Sequence, residues 1–239
     1  MAIKKNSLCI GVDGCKGGWI VASLQNGTLT INKRSSVSEI IQGNPDFDEF
    51  FIDMVIGLPG DQQQIRPDQA ARRLIKERSS TIFPVPCRQA VYAKTTAEAY
   101  DENVRVLGKK FTPLTLGIMP KMRELDTFLQ ENPAYRNVLK ESHPEVCFSR
   151  LNGKTVVTKK SELEGIKERI SILKRYINMP TLSKIQALAK EYRCHVDDII
   201  DAICLAVAAY QVHEGHGEVI PKEPMEDDTG LLMRMVIPK

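Results

Sequence analysis

The stretch Leu8–Trp19, LCIGVDGCKGGW, constrains this chain more than any other. Leu8, Cys9, Ile10 and Val12 form a short apolar run that suits a strand covered on both faces. The run ends in a lone carboxylate, Asp13, and then in Gly14, Gly17 and Gly18, which permit a sharp reversal and close approach of a ligand or another backbone. Trp19-Ile-Val-Ala-Ser-Leu resumes a strand pattern, so the segment reads as a hairpin with an acid at its open end. An acid on a buried strand needs compensation by a hydrogen bond, a cation or a metal. Capping of the glycine turn by Asp13 is the plain alternative. Acids elsewhere decide between the two.

Thr28–Lys33 reads as a third strand and Ser38–Gln42 as a short helix started by serine. Phe50–Leu58, FFIDMVIGL, is a second buried strand with a lone acid, Asp53, and it ends in Gly57-Leu58-Pro59-Gly60. Hairpin strands, a helix and then an apolar strand predict a mixed sheet with a crossover, an α/β layout. The helix His195–Val212 is apolar nearly all round after its first turn, which buries it against the sheet. Asp198 and Asp201 are three apart and Asp197 and Asp201 four apart, so either pair shares a face. The helix dipole accounts for Asp197 and Asp198 in the first turn. It accounts badly for Asp201, set deeper between Ile200 and Ala202.

The 239 residues suit one domain with a helical insertion at about 60–138. A net charge of +3 neither demands nor excludes a local basic groove. No apolar run approaches about 18 residues, so no membrane span is expected. Met1–Asn6 lacks the apolar core of a signal peptide, and a cytoplasmic protein is expected. The six cysteines never form CxxC and read as reduced, buried thiols. Zinc is disfavoured, because His213 and His216 have no cysteine pair spaced to join them. Nothing in the sequence sets the oligomeric state.

Pro67–Ser79 reads as a basic helix carrying Arg72, Arg73, Lys76 and Arg78, followed by the stiff loop SSTIFPVPCR, which ends at Arg88. A solvated helix with a packed loop competes here with phosphate contact, in which Arg72, Arg73, Arg78 and Arg88 would bind substrate. Thr95–Gly108 and Pro120–Gln130 read as helices with core-facing stripes, and residues 161–177 as a charged amphipathic helix. Val138–Leu151 holds a third acidic strand pattern, in which Glu145 points either into the acid cluster or out to solvent. Leu231–Ile237 reads as an added strand.

Two strand acids and a paired acid on one buried helix cannot all ionise side by side without compensation. A pair of divalent cations resolves that conflict, and carboxylate ligands suit magnesium or manganese in phosphodiester cleavage. The ordered motifs GVDGCKGGW, IDMVIGLP, SSTIFPVPCR, HPEVCF and DDIIDA resemble the predicted RNase H-like nucleases, domain-of-unknown-function family 429, from about Leu8 to the C-terminus. The resemblance implies an RNase H-like fold: a five-stranded mixed sheet, its first three strands antiparallel, with flanking helices. It implies a nucleic-acid substrate, two Mg2+ or Mn2+ ions, and Asp13, Asp53, Asp198 and Asp201 as catalytic metal ligands. Glu145 belongs to the HPE motif and enters the metal-binding set with its role open. Val55 departs from the proline that relatives often carry there.

Three other readings compete. An actin-like ATPase or sugar kinase shares the Asp–Gly opening, but it normally needs two copies of the fold. Leu182–Ala202 loosely imitates a helix-turn-helix, but its second helix is acidic and then apolar, unlike a recognition helix. The third is a catalytically inactive binding module on the same fold.

Overall fold

The computed structural model describes residues 7–239. Met1–Asn6, the stretch read for a signal peptide, lies outside the described residues. The fold is mixed α/β. A five-stranded sheet has the order β3-β2-β1-β4-β5, built from β1 Leu8–Cys15, β2 Gly18–Gln25, β3 Thr28–Arg34, β4 Glu49–Ile52 and β5 Leu139–Glu141. The first three strands run antiparallel and β4 runs parallel to β1. A separate two-stranded ribbon pairs β6 Gly217–Glu226 with β7 Leu232–Pro238, so the C-terminal strand joins a ribbon rather than the main sheet.

The chain is organised as two compact units. The first gathers the residues up to Asp53 with Ser142–Glu218 and Val236–Lys239. It contains β1–β4 and the helices α1 Val37–Gly43, α6 Pro144–Asn152, α7 Leu163–Leu173, α8 Leu182–Tyr192 and α9 Val196–His213. Ser36 caps α1, its side chain accepting from the Glu39 N–H at 3.2 Å. In α9 every residue from Ile199 to Tyr210 is buried. The helix lies across β1, β2 and β4, with α6, α7 and α8 packed against it.

Gly11 sets how closely α9 approaches the sheet. A Cβ built there would stand 2.2 Å from both the Ala202 carbonyl oxygen and the Ala206 nitrogen. Ala202 and Ala206 are one turn apart, so small residues on the helix meet the absent side chain of the strand. Strand alternation then puts Gly11 and Asp13 on one face of β1. Gly11 pairs in register with Phe51 of β4, so Phe51 and Asp53 share that face.

The second unit gathers Met54–Glu141 and Val219–Met235. It carries the helices α2 Asp68–Leu74, α3 Arg88–Tyr92, α4 Thr96–Leu107 and α5 Pro113–Glu131. The basic helix expected at 67–79 breaks at Ile75 and continues as a 3-10 turn, Lys76–Thr81. Helix α5 begins at Pro113, a favourable first position, and runs through Pro120.

Two expected strands are shorter than their sequence patterns. The strand read as Phe50–Leu58 ends at Ile52. Beyond it, the Ile56 N–H donates to Glu141 Oε2 at 2.7 Å and the Leu58 N–H to Asp227 Oδ2 at 2.9 Å. Buried carboxylates, not a strand partner, satisfy that apolar backbone. Gly57 takes φ +78°, which a strand residue would not. In the segment 138–151, Pro144 and Glu145 open helix α6. Proline at the first helical position and an acid in the first turn are helix-start features, and here they override the strand pattern. All six cysteines are free thiols. Among the described residues no helix is long and apolar enough to cross a membrane.

The tight seat of α9 gives a first prediction. Gly11→Ala would push a methyl group into helix backbone that cannot rotate away. It should cost at least about 3 kcal/mol, or roughly 6–12 °C in melting temperature, by thermal or urea unfolding. A shift below about 2 °C would mean that the helix does not rest on Gly11.

Candidate functional site

Three elements of the first unit deliver acids to one place. Asp13 is the sixth residue of β1, Asp53 follows the end of β4, and Asp198 and Asp201 lie in the first two turns of α9. Asp53 keeps the strand direction, its N–H donating to the Val12 carbonyl at 2.9 Å. Asp13 is 7% exposed and Asp201 1%. Asp13 and Asp53 lie close enough for each to shift the other's ionisation.

Burial pushes the Asp13 carboxyl well above the carboxylate range, and the charges of Asp53 and Asp201 push it further. Asp53 is raised by burial, with the charges of His143 and Lys160 partly offsetting the rise. Asp13 Oδ1 accepts from the Gly14 N–H at 2.9 Å. Burial raises Asp201 to about 7, even with a lysine beside it and with Glu145 and Asp53 adding to the rise. Asp198 is raised by burial, with the His195 N–H, which donates to its Oδ2 at 2.8 Å, opposing. One oxygen of Asp198 thus caps α9, a role beyond the charge–dipole one read from the sequence.

The residue that sequence reasoning missed is Lys160. Its ammonium donates to Asp201 Oδ2 at 2.6 Å and stands 3.5 Å from Asp197 Oδ2. It is held protonated above the ordinary lysine range by Asp201 and Asp13, which outweigh its burial. Lys160 lies between α6 and α7 in a segment with no periodicity, motif or charge pattern to single it out.

Glu145 lies on α6, 6% exposed, with both carboxylate oxygens on Arg169 Nη2 at 2.8 and 2.9 Å. Arg169 is itself 1% exposed and is a second residue the sequence did not mark. His143, just ahead of α6, keeps a buried Nδ1 with no hydrogen-bond partner among the described residues.

The four arginines read as substrate contacts belong to the second unit. Arg88 places Nη1 2.7 Å from Asp126 Oδ2, and its Nη2 stands 2.6 Å from Asp227 Oδ2 and 3.0 Å from Asp126 Oδ1, so its fork is engaged internally. Arg72 donates from Nε to the Ile82 carbonyl at 2.9 Å. Arg73 is exposed on α2 and Arg78 is half-buried on the 3-10 turn.

Among the described residues, no three His, Cys, Asp or Glu side chains stand in an arrangement that would hold a metal ion. The donors nonetheless fit magnesium or manganese in kind. They are hard carboxylate oxygens, more of them than nearby cations neutralise, beside an orphaned imidazole nitrogen. The chain belongs to the family described as protein of unknown function (DUF429), whose model matches residues 11–226. No curated protein and no solved structure matches it.

The raised acids fix a pH dependence. A carboxyl with a raised folded pKa binds more protons folded than unfolded, so the stability it contributes is lost as pH rises. For Asp201 that window runs from its ordinary value of 3.8 to about 7. Asp13→Asn keeps an acceptor for the Gly14 N–H while removing one ionisable group. In metal-free buffer at pH 8 it should melt several degrees above wild type, and the gain should shrink toward pH 4–5. A lower melting temperature than wild type at pH 8 would contradict this electrostatic account.

Proposed function

We propose that this protein is a divalent-metal-dependent nuclease with an RNase H-like fold, hydrolysing phosphodiester bonds of nucleic acid in the cytoplasm. One observation carries the reading: buried Asp13 on β1, half-buried Asp53 just after β4 and buried Asp201 on α9 lie close enough to raise pKa values within the set, and Lys160 is ion-paired to Asp201. The strand order, with three antiparallel strands and β4 parallel to β1, supports the fold the sequence motifs imply.

A phosphodiester is an anion, and a cluster of ionised carboxylates repels it unless cations lie between them. Asp13, Asp53 and Asp201 would hold magnesium or manganese, with Asp198 at the edge of the set. Such ions, when bound, supply an acidified water and a positive field for the departing oxygen. The protein's own part is orientation. Strand ends fix Asp13 and Asp53, and a rigid buried helix fixes Asp201, so the donors meet with little freedom to lose. Asp198 steadies the start of that helix through its cap on His195. The buried fork of Arg88 and the Arg169-bound carboxylate of Glu145 serve the scaffold.

The test is cleavage of single-stranded, duplex and branched nucleic acids with magnesium or manganese. Asp13→Asn and Asp53→Asn should each lose more than about a hundredfold in rate, since even groups one step removed from a metal are worth 10–100-fold. Melting curves should show both variants folded. Wild-type rates in either variant, or no cleavage by wild type under any of these conditions, would overturn the proposal.

A further inference from the structure

Lys160 asks for an explanation that the acid cluster alone does not give. Its segment, between the end of α6 at Asn152 and the start of α7 at Leu163, has no regular structure, yet it is held firmly. Arg169 Nη1 donates to the Thr158 carbonyl at 3.1 Å, and Thr158 Oγ1 donates to Glu168 Oε2 at 2.6 Å. The Lys159 carbonyl rests so closely on Gly165 that a Cβ there would come within 2.0 Å of its oxygen. The Glu162 N–H donates to that same carbonyl at 3.1 Å. Arg169 in turn is gripped by both oxygens of Glu145. A buried ion pair therefore brackets the backbone on which Lys160 rides, and it aims the ammonium at Asp201.

The backbone is fixed, but the side chain is not sealed in, being 39% exposed. The lysine side chain thus meets solvent along part of its length, whereas the Asp201 side chain it neutralises is 2% exposed. A charge placed 2.6 Å from a buried Asp201 oxygen also occupies the position from which that oxygen would meet any other cation.

We infer that Lys160 is the resident cation of the acid cluster, and that a divalent ion binds by displacing it from Asp201. The inference rests on the metal-dependent reading above and adds a residue that sets how readily the site loads. Lys160 lowers the site's affinity for metal and keeps Asp201 neutralised until the ion arrives.

The experiment is titration of full-length protein with Mn2+, by calorimetry and by electron paramagnetic resonance of free Mn2+, with no substrate present. Lys160→Met preserves the stem and removes the charge, Lys160→Gln is a second neutral variant, and Lys160→Arg keeps the charge. Both neutral variants should bind Mn2+ at least about tenfold more tightly than wild type, and the arginine variant should stay near wild type. Adding Asp13→Asn to Lys160→Met should abolish the gain. Equal affinity in wild type and both neutral variants, or weaker binding in them, overturns the displacement while leaving the metal reading intact. Absence of Mn2+ binding in every variant at millimolar metal overturns both.

Discussion

The close seat of α9 on Gly11 is the contact on which the rest depends. Because that strand position has no side chain, the backbone at Ala202 and Ala206 can approach β1 directly. From Gly11 to Asp13 the strand advances about 6.6 Å, and from Ala202 back to Asp198 the helix retreats about 6 Å. Packing fixed at Gly11 therefore brings the acidic first turns of α9 to the level of Asp13. A stripe of small residues, chosen for steric reasons, sets the geometry of a charged site.

The cluster built in this way carries more acid than it can ionise. Burial and the charges of neighbouring acids raise the pKa values of Asp13 and Asp53, Asp201 leans on Lys160, and Asp198 turns one oxygen to its own helix terminus. Each of these is a local remedy for burying like charges, and together they leave the site short of positive charge. A structural ion pair needs no such surplus: Glu145 and Arg169 match one carboxylate with one guanidinium and are deeply buried. That difference separates the acid cluster from the scaffold pair.

The strand acids and the acidic helix were legible because local pattern announces them. An acid at the end of an apolar run and one set deep in a buried helix are both anomalies against their surroundings. Lys160 and Arg169 were not legible for the opposite reason. A lysine in an aperiodic loop and an arginine on an amphipathic helix look like ordinary solvated residues, and their partners lie 41 and 24 positions away. The same long-range chemistry shortened the strand after Ile52, where Glu141 and Asp227 replace a strand neighbour. In HPEVCF a proline and a glutamate marked a helix start, which a reading fixed on alternating apolar residues passed over.

The most direct test of the central claim, that these acids form one cation site, is a crystal soaked in manganese and measured at the manganese absorption edge. The account predicts anomalous density bounded by the carboxylates of Asp13, Asp53 and Asp201, with the Lys160 ammonium withdrawn from Asp201. A saturating soak with no anomalous peak there, and Lys160 still on Asp201, would contradict it.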